Sequence, residues 1–281
     1  MTLFNLDTRN VVRIAGEGAK KLVNDTLTCR FEGLEEGTGR WFALLSPQGK
    51  VQVEGLTTFS DEAYWFDMEA GITGAFVKRM TMYRLRSKAS IEQVQTHAIA
   101  WSPDESEPPK GNRISYTDER GSHLGRRFIL DWEDLGGEAP PPFDAYGRAK
   151  VECGIAELGT DFAPDSTFPH DIGMDLLGGV DFKKGCYIGQ EVVSRMQHRG
   201  TARRRPVIVS GLPAGAAPGA PVVAGGREAG TIGMVVNGKA IAILRLDRIE
   251  NPADASVDGE GVVLTLPSWA TYAFGESAPA G

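Results

Sequence analysis

The sequence predicts an α+β chain that ends in a small β-barrel. Three observations carry that prediction. Strand and helix signals alternate through the first 95 residues, and short strands with glycine turns take over after residue 205. The length of 281 residues also exceeds what one compact core usually holds, so two or three units are expected.

In chain order, Val11–Ile14 reads as a short strand and Gly18–Leu27 as a short helix. Trp41–Leu45 and Val51–Phe59 flank Ser46-Pro47-Gln48-Gly49, whose proline and glycine suit a type I turn, so the pair reads as a β-hairpin. Ile72, Phe76 and Met80 recur every four residues and place an apolar stripe on a helix over 70–82. Ala89–Val94 follows as a strand. Trp101–Pro109 is acidic and proline-rich and reads as exposed loop, and Glu138–Pro142 as a stiff connector. Between them Arg113–Tyr116 and Arg126–Leu130 are β-like. Residues 144–200 regain α+β character. Beyond them, Val207–Val209, Val222–Val223, Thr231–Val236, Ala240–Leu244 and Val262–Leu266 are strands, with Asn237-Gly238 a strong hairpin signal. Five short strands in about 70 residues suggest a small barrel. An unpatterned tail follows.

Composition narrows the function. Lys and Arg number 30 against 37 Asp and Glu, a net charge of −7, which argues against a general nucleic-acid binder. The longest uncharged run, Pro206–Gly226, holds four prolines and cannot form a spanning helix. Three cysteines build no disulfide framework, and the first residues do not read as a signal peptide. The expectation is a soluble cytoplasmic protein without nucleic-acid or membrane partners.

Several familiar motifs fail. Gly16-Glu17-Gly18 lacks the third glycine of a dinucleotide loop, and Gly49-Lys50 lacks the upstream glycine of a phosphate loop. The four histidines are scattered, and no Gly-x-Ser-x-Gly occurs.

Residues 181–205 stand apart. They contain seven Lys/Arg and two Asp/Glu, so the rest of the chain carries 23 against 35. A basic strip on an acidic protein suits an anion-binding surface. Within it Cys186 follows Lys183-Lys184-Gly185 and precedes a helix-like run from Gln190. Nearby cations and a helix N-terminus favour thiolate, which makes a reactive cysteine one reading. The other is a buried cysteine beside a tight turn. Cys29 and Cys153 read as core residues.

Lys184-Gly185-Cys186-Tyr187-Ile188-Gly189-Gln190-Glu191 resembles the Lys-Gly-Cys-Tyr-x-Gly-Gln-Glu signature of the YgfZ-type folate-binding proteins. These are relatives of the glycine-cleavage aminomethyltransferase (T-protein) that act in iron–sulfur cluster assembly or repair. Phe168–Thr201, Phe76–Ile91 with Tyr83-Arg84-Leu85-Arg86, and the Gly16–Thr28 helix extend the likeness to about two thirds of the chain. The resemblance implies three lobes around a central folate cavity: two ferredoxin-like α+β lobes and the C-terminal barrel. The first lobe would span 1–85 and be completed by 144–200, the second 86–143, with the barrel and tail at 201–281.

The resemblance further implies tetrahydrofolate, with or without extra glutamates, as cofactor, a transient iron–sulfur cluster, and iron–sulfur client enzymes or assembly proteins as partners. Cys186, assisted by Lys184, would be the reactive group. Tyr187, Gln190, Arg195 and Arg199 would contribute folate contacts, and no residue set for a resident metal is implied. Lys150-Val151-Glu152-Cys153-Gly154-Ile155 is similar to the T-protein segment whose glutamate contacts the pterin, which nominates Glu152; an exposed strand-end glutamate is its other reading. The T-protein's paired aspartates are missing from Gly49–Glu54, where only Glu54 is acidic. That favours a folate-binding accessory protein over an aminomethyltransferase, with a non-catalytic docking scaffold as a further alternative.

Overall fold

The structure is a computed structural model and describes residues 3–103, 114–121, 123–135, 144–200 and 202–275. The chain begins with β1 (Phe4–Asn5), β2 (Arg9–Ala15), α1 (Ala19–Thr26), β3 (Thr38–Leu45), β4 (Val51–Ser60), β5 (Ala63–Glu69), α2 (Ala70–Arg84) and β6 (Ser90–Val94). β7 (His97–Ser102), β8 (Ile114–Asp118) and β9 (Arg126–Asp131) follow, then α3 (Asp144–Cys153) and α4 (Gln190–Arg199). The last strands are β10 (Arg204–Ser210), β11 (Pro221–Ala224), β12 (Arg227–Val236), β13 (Lys239–Arg245), β14 (Ser256–Val257), β15 (Glu260–Gly261) and β16 (Val263–Thr265).

β1 to β9 form one sheet in the order β1-β7-β9-β8-β3-β4-β5-β2-β6. It consists of two sheet-rich halves joined where β3 meets β8 in parallel, with Thr38 opposite Thr117 and Gly39 opposite Asp118. The approach requires glycine at 39, because a Cβ there would lie 2.3 Å from the Tyr116 ring. Every other pairing in the sheet is antiparallel. The second sheet, β15-β14-β11-β12-β13-β10-β16, curls into a nearly closed barrel around Val207, Ile232, Ala242, Leu244 and Val257. The α+β class and the terminal barrel therefore stand.

Local chemistry explains the hairpins. The Ser46–Gly49 turn closes with a 2.8 Å bond from the Gly49 N–H to the Ser46 carbonyl, and Gly49 takes φ +78°. Asn237 and Gly238 both take positive φ, as the β12–β13 turn requires. Ile72, Phe76 and Met80 form the buried face of α2, packed with Phe42 and Phe66 of the sheet. Chain returning after α3 seals the first half: Asp165 donates to the Val51 carbonyl at 2.8 Å, and Val51 donates to the Thr167 carbonyl at 2.9 Å.

The structure corrects several expectations. Trp101 and Ser102 are buried strand residues rather than exposed loop, with the Trp101 indole donating to the Leu124 carbonyl at 2.7 Å. β5 carried no turn signal because Asp61 and Glu62 make the left-handed bend without glycine or asparagine. Glu152 lies in a helix rather than at a strand end. Residues 104–109, Arg113, Glu138–Pro142 and Thr201 lie outside the described residues. No helix among the described residues is long and apolar enough to cross a membrane.

Candidate functional site

The Cys186 loop is anchored on both sides and open in the middle. Asp181 donates its N–H to the Thr28 carbonyl at 3.0 Å, and its side chain accepts from the Lys183 N–H at 2.8 Å. The Lys184 ammonium donates to the carbonyls of Leu27 and of Cys29, the latter at 2.8 Å, and lies near the rings of Phe31 and Tyr187. Burial lowers its pKa to about 8. Lys184 thus ties the loop to the segment that follows α1, with its charge facing the buried Cys29. Its expected role as the cation that activates Cys186 has no support in this geometry.

Gly185 and Cys186 are exposed, and Cys186 is the exposed one of three free cysteines. Burial pushes the Cys29 thiol up to about 12 and also raises Cys153. Tyr187 is buried, and its hydroxyl has no partner among the described residues. The Tyr187 N–H donates to the Gln190 side chain at 3.3 Å, and Gly189 opens α4 with φ +78°. Gln190 is therefore a loop-fixing residue. Arg195 pairs with Glu191 one turn earlier on the exposed face of α4, and Arg199 is exposed beside the helix end.

A cavity of about 410 Å³ lies elsewhere, between the start of the chain, α3, the 157–160 turn and the barrel. Its walls include Arg9, Glu69, Tyr146, Lys150, Glu157 and Met234. Helix geometry selects them: Tyr146, Gly147 and Lys150 share one face of α3, while Glu152 lies about 200° around from Lys150. Glu152 is exposed and does not line this cavity. Nor do Cys186, Lys184, Tyr187, Gln190, Arg195 or Arg199.

Of the carboxylates at the wall, Asp7, Glu69 and Glu157, the one paired with buried cations is Glu157. It accepts from Arg9 on one oxygen and from Lys150 on the other, the latter at 2.6 Å. Burial opposes its charge, but Lys150 and Arg9 outweigh that and hold the carboxyl well below the usual range. Lys150 also faces Asp161 at 3.8 Å. Arg9 reaches on to Asp67, which accepts from the Tyr116 hydroxyl at 2.9 Å and from Arg127 at 3.1 Å. Arg127 and Arg120 both donate to the Tyr146 hydroxyl. Arg9, Tyr146, Lys150 and Glu157 thus join the cavity wall to a buried ionic lattice behind it, in which Arg120 Nη1 and Arg127 Nε have no partner among the described residues. Glu54 lies behind it, buried, accepting from the Trp41 indole at 2.6 Å and the Leu158 N–H at 3.0 Å. Burial raises its pKa.

This ionic lattice was not found from the sequence. Its members sit at positions 9, 67, 116, 120, 127, 146, 150 and 157, and no linear spacing links them. The one available signal was the Lys150–Ile155 segment, which includes Lys150 of α3.

Comparison with known proteins fits this architecture. Residues 203–272 match the C-terminal beta-barrel domain of CAF17. The crystal structure of the glycine cleavage system aminomethyltransferase T from Bartonella henselae superposes with a TM-score of 0.74 over 97% of this chain and 87% of that one, at 14% identity. The chain thus has the aminomethyltransferase T fold. Its sequence relatives are more specific. The mitochondrial iron–sulfur cluster assembly factor IBA57 of Mus musculus is 28% identical over 95% of this chain and 85% of its own length. The Homo sapiens protein is 27% identical over 95% and 84%. The Mycosarcoma maydis homolog is 26% identical over 78%, and the match spans 60% of that longer protein. Over nearly its whole length the chain is thus similar in sequence to mitochondrial proteins named as IBA57 iron–sulfur cluster assembly factors.

These relatives overturn the cytoplasmic location expected above, since they are mitochondrial proteins. The lack of a disulfide framework, on which that expectation rested, does not tell one compartment from another.

Proposed function

We propose that this chain serves the maturation of iron–sulfur enzymes, holding tetrahydrofolate in the Arg9–Glu157 cavity and offering Cys186 to a cluster in transit. The observation that carries the proposal is an exposed thiol on a loop fixed at both ends, in a chain similar to assembly factors. Among the described residues no three metal-ligating side chains cluster. Cys186 then supplies one ligand, and the assembly protein or client enzyme supplies the others, since a stable cluster takes four.

The cavity suits a reduced pterin in size and chemistry. About 410 Å³ lies within the range of small-molecule sites. Tyr146 and Met234 offer apolar wall, and Glu157 retains lone pairs beyond those used by Arg9 and Lys150 to accept from an amino-pyrimidine edge. When bound, tetrahydrofolate supplies a reduced, one-carbon-carrying ring. The protein's part is orientation by Glu157, backed by the ionic lattice. Aminomethyl transfer is the lesser reading, because Glu54, the acidic residue of Gly49–Glu54, is buried and does not line the cavity.

The test is a cell lacking the protein, assayed for several [4Fe–4S] enzymes and complemented with wild type, Cys186→Ser and Glu157→Gln, beside titration calorimetry with tetrahydrofolate. Full complementation by Cys186→Ser removes the thiol from the mechanism. Unchanged folate affinity in a folded Glu157→Gln removes the cavity.

A further inference from the structure

Residues 78–88 read Lys-Arg-Met-Thr-Met-Tyr-Arg-Leu-Arg-Ser-Lys, five cations without an acidic residue. The rest of the chain then carries 25 Lys/Arg against 37 Asp/Glu. The stretch closes α2 and turns back toward β6. Its inner side is ordinary core, with Met80 buried. The outer side presents Met82, 62% exposed, and Leu85, 86% exposed, the two most exposed large apolar side chains among the described residues.

Leu85 sits at φ +46°, ψ −109°, a backbone conformation that glycine takes freely and leucine takes only under strain. A large apolar side chain held in water on strained backbone opposes folding on two counts, which points to a role outside folding. A groove of about 480 Å³ lies beside it, between α1 and the 83–88 turn, with Leu22 and Thr26 in its wall and Arg84, Arg86 and Lys88 at the turn. Lys88 is paired with Glu17, and Lys21 with Asp25. Lys78, Arg79 and Arg86 have no acidic partner among the described residues. None of these residues lines the Arg9–Glu157 cavity.

We propose that the Lys78–Lys88 turn docks an acidic protein segment that carries an apolar side chain. Met82 and Leu85 make the dry contact, the groove receives the partner's apolar group, and Arg79 and Arg86 pair with its carboxylates. The shape and charge favour a segment over an anionic bilayer. A groove receives a side chain, whereas a bilayer is flat. A charged plane would also oppose the acidic remainder of the chain across a screening length of about 8 Å.

The experiment uses the full chain and a fluorescent peptide of repeated Glu-Glu-Leu units, read by anisotropy. Wild type binds it, added salt weakens binding, and a Lys-Lys-Leu peptide does not bind. Arg86→Glu and Leu85→Gly each lower affinity about tenfold. Leu85→Gly meanwhile leaves the Tm unchanged or raises it, because glycine relieves the strained φ; this separates lost docking from lost folding. Absence of peptide binding, wild-type affinity in both variants, or sedimentation with phosphatidylserine vesicles that both variants abolish overturns the proposal.

Discussion

Gly189 and Ser46 touch with no room for a side chain between them. A Cβ on Gly189 would lie 2.6 Å from the Ser46 carbonyl oxygen and 3.0 Å from the Leu45 Cβ. The fit is mutual, since a Cβ on Gly49 would lie 3.0 Å from the Cβ of Val192 in α4. The β3–β4 turn therefore sets the start of α4, and with it the position of the Cys186 loop.

Gly189→Ala should cost about 2–3 kcal/mol, combining the left-handed φ with backbone collision. Gly33→Ala is the control, because φ +68° there faces open space and only the backbone term of about 1 kcal/mol applies. Urea unfolding separates the two. Equal costs would show that the Ser46 contact yields without penalty.

Native alkylation should mark Cys186 alone. Cys29 and Cys153 are buried, and burial raises both thiols, so iodoacetamide should modify them at least about tenfold more slowly. Mass mapping should find one adduct in the folded protein and three after denaturation. Early labelling of Cys29 contradicts the burial described here.

Glu157→Gln leaves Arg9 and Lys150 without their shared anion and should cost about 3–5 kcal/mol. The sign of the pH effect follows from its depressed folded pKa. The unfolded carboxyl takes up its proton first, so stability present at neutral pH should decline as pH falls below about 5. Urea midpoints between pH 3.5 and 7 should show that decline in wild type and a shallower one in Glu157→Gln.

Lys184 titrates on the other limb. Its folded pKa, lowered by burial to about 8, lies below the ordinary value of 10.5, so between those values the unfolded chain binds the extra proton. Stability from this residue should rise as pH increases across that window. Lys184→Met should lack the rise, while losing the bonds to Leu27 and Cys29 at every pH. Parallel slopes for the two proteins would place the lowered pKa elsewhere.

Short-range signals were legible in the sequence where one residue dictates geometry. Ser46-Pro47-Gln48-Gly49, Asn237-Gly238 and the four-residue recurrence of Ile72, Phe76 and Met80 each led to the observed element. β5 was not legible, because a type of turn that favours glycine is made by Asp61 and Glu62, and because both faces of the strand are buried, which erases alternation. The Cys186 loop was legible as chemistry but not as geometry: Lys184 neighbours the cysteine in sequence and points its charge at carbonyls of another segment. The cavity was hardly legible at all. Two residues along a helix separate Lys150 inside from Glu152 outside, and Glu157, the carboxylate that accepts from Lys150, comes seven positions after it, once the helix has ended.

The short parallel junction of β3 and β8 makes the two halves of the great sheet unequal in cooperativity. Only two residue pairs bridge the backbones there, whereas Asp67 of β5 binds Arg9 of β2, Tyr116 of β8 and Arg127 of β9. The halves are thus coupled through side-chain charge more than through the main-chain ladder. Amides on either side of the seam should exchange as two blocks with separate opening energies, and Asp67→Asn should widen the gap between them without altering either block's internal pairing.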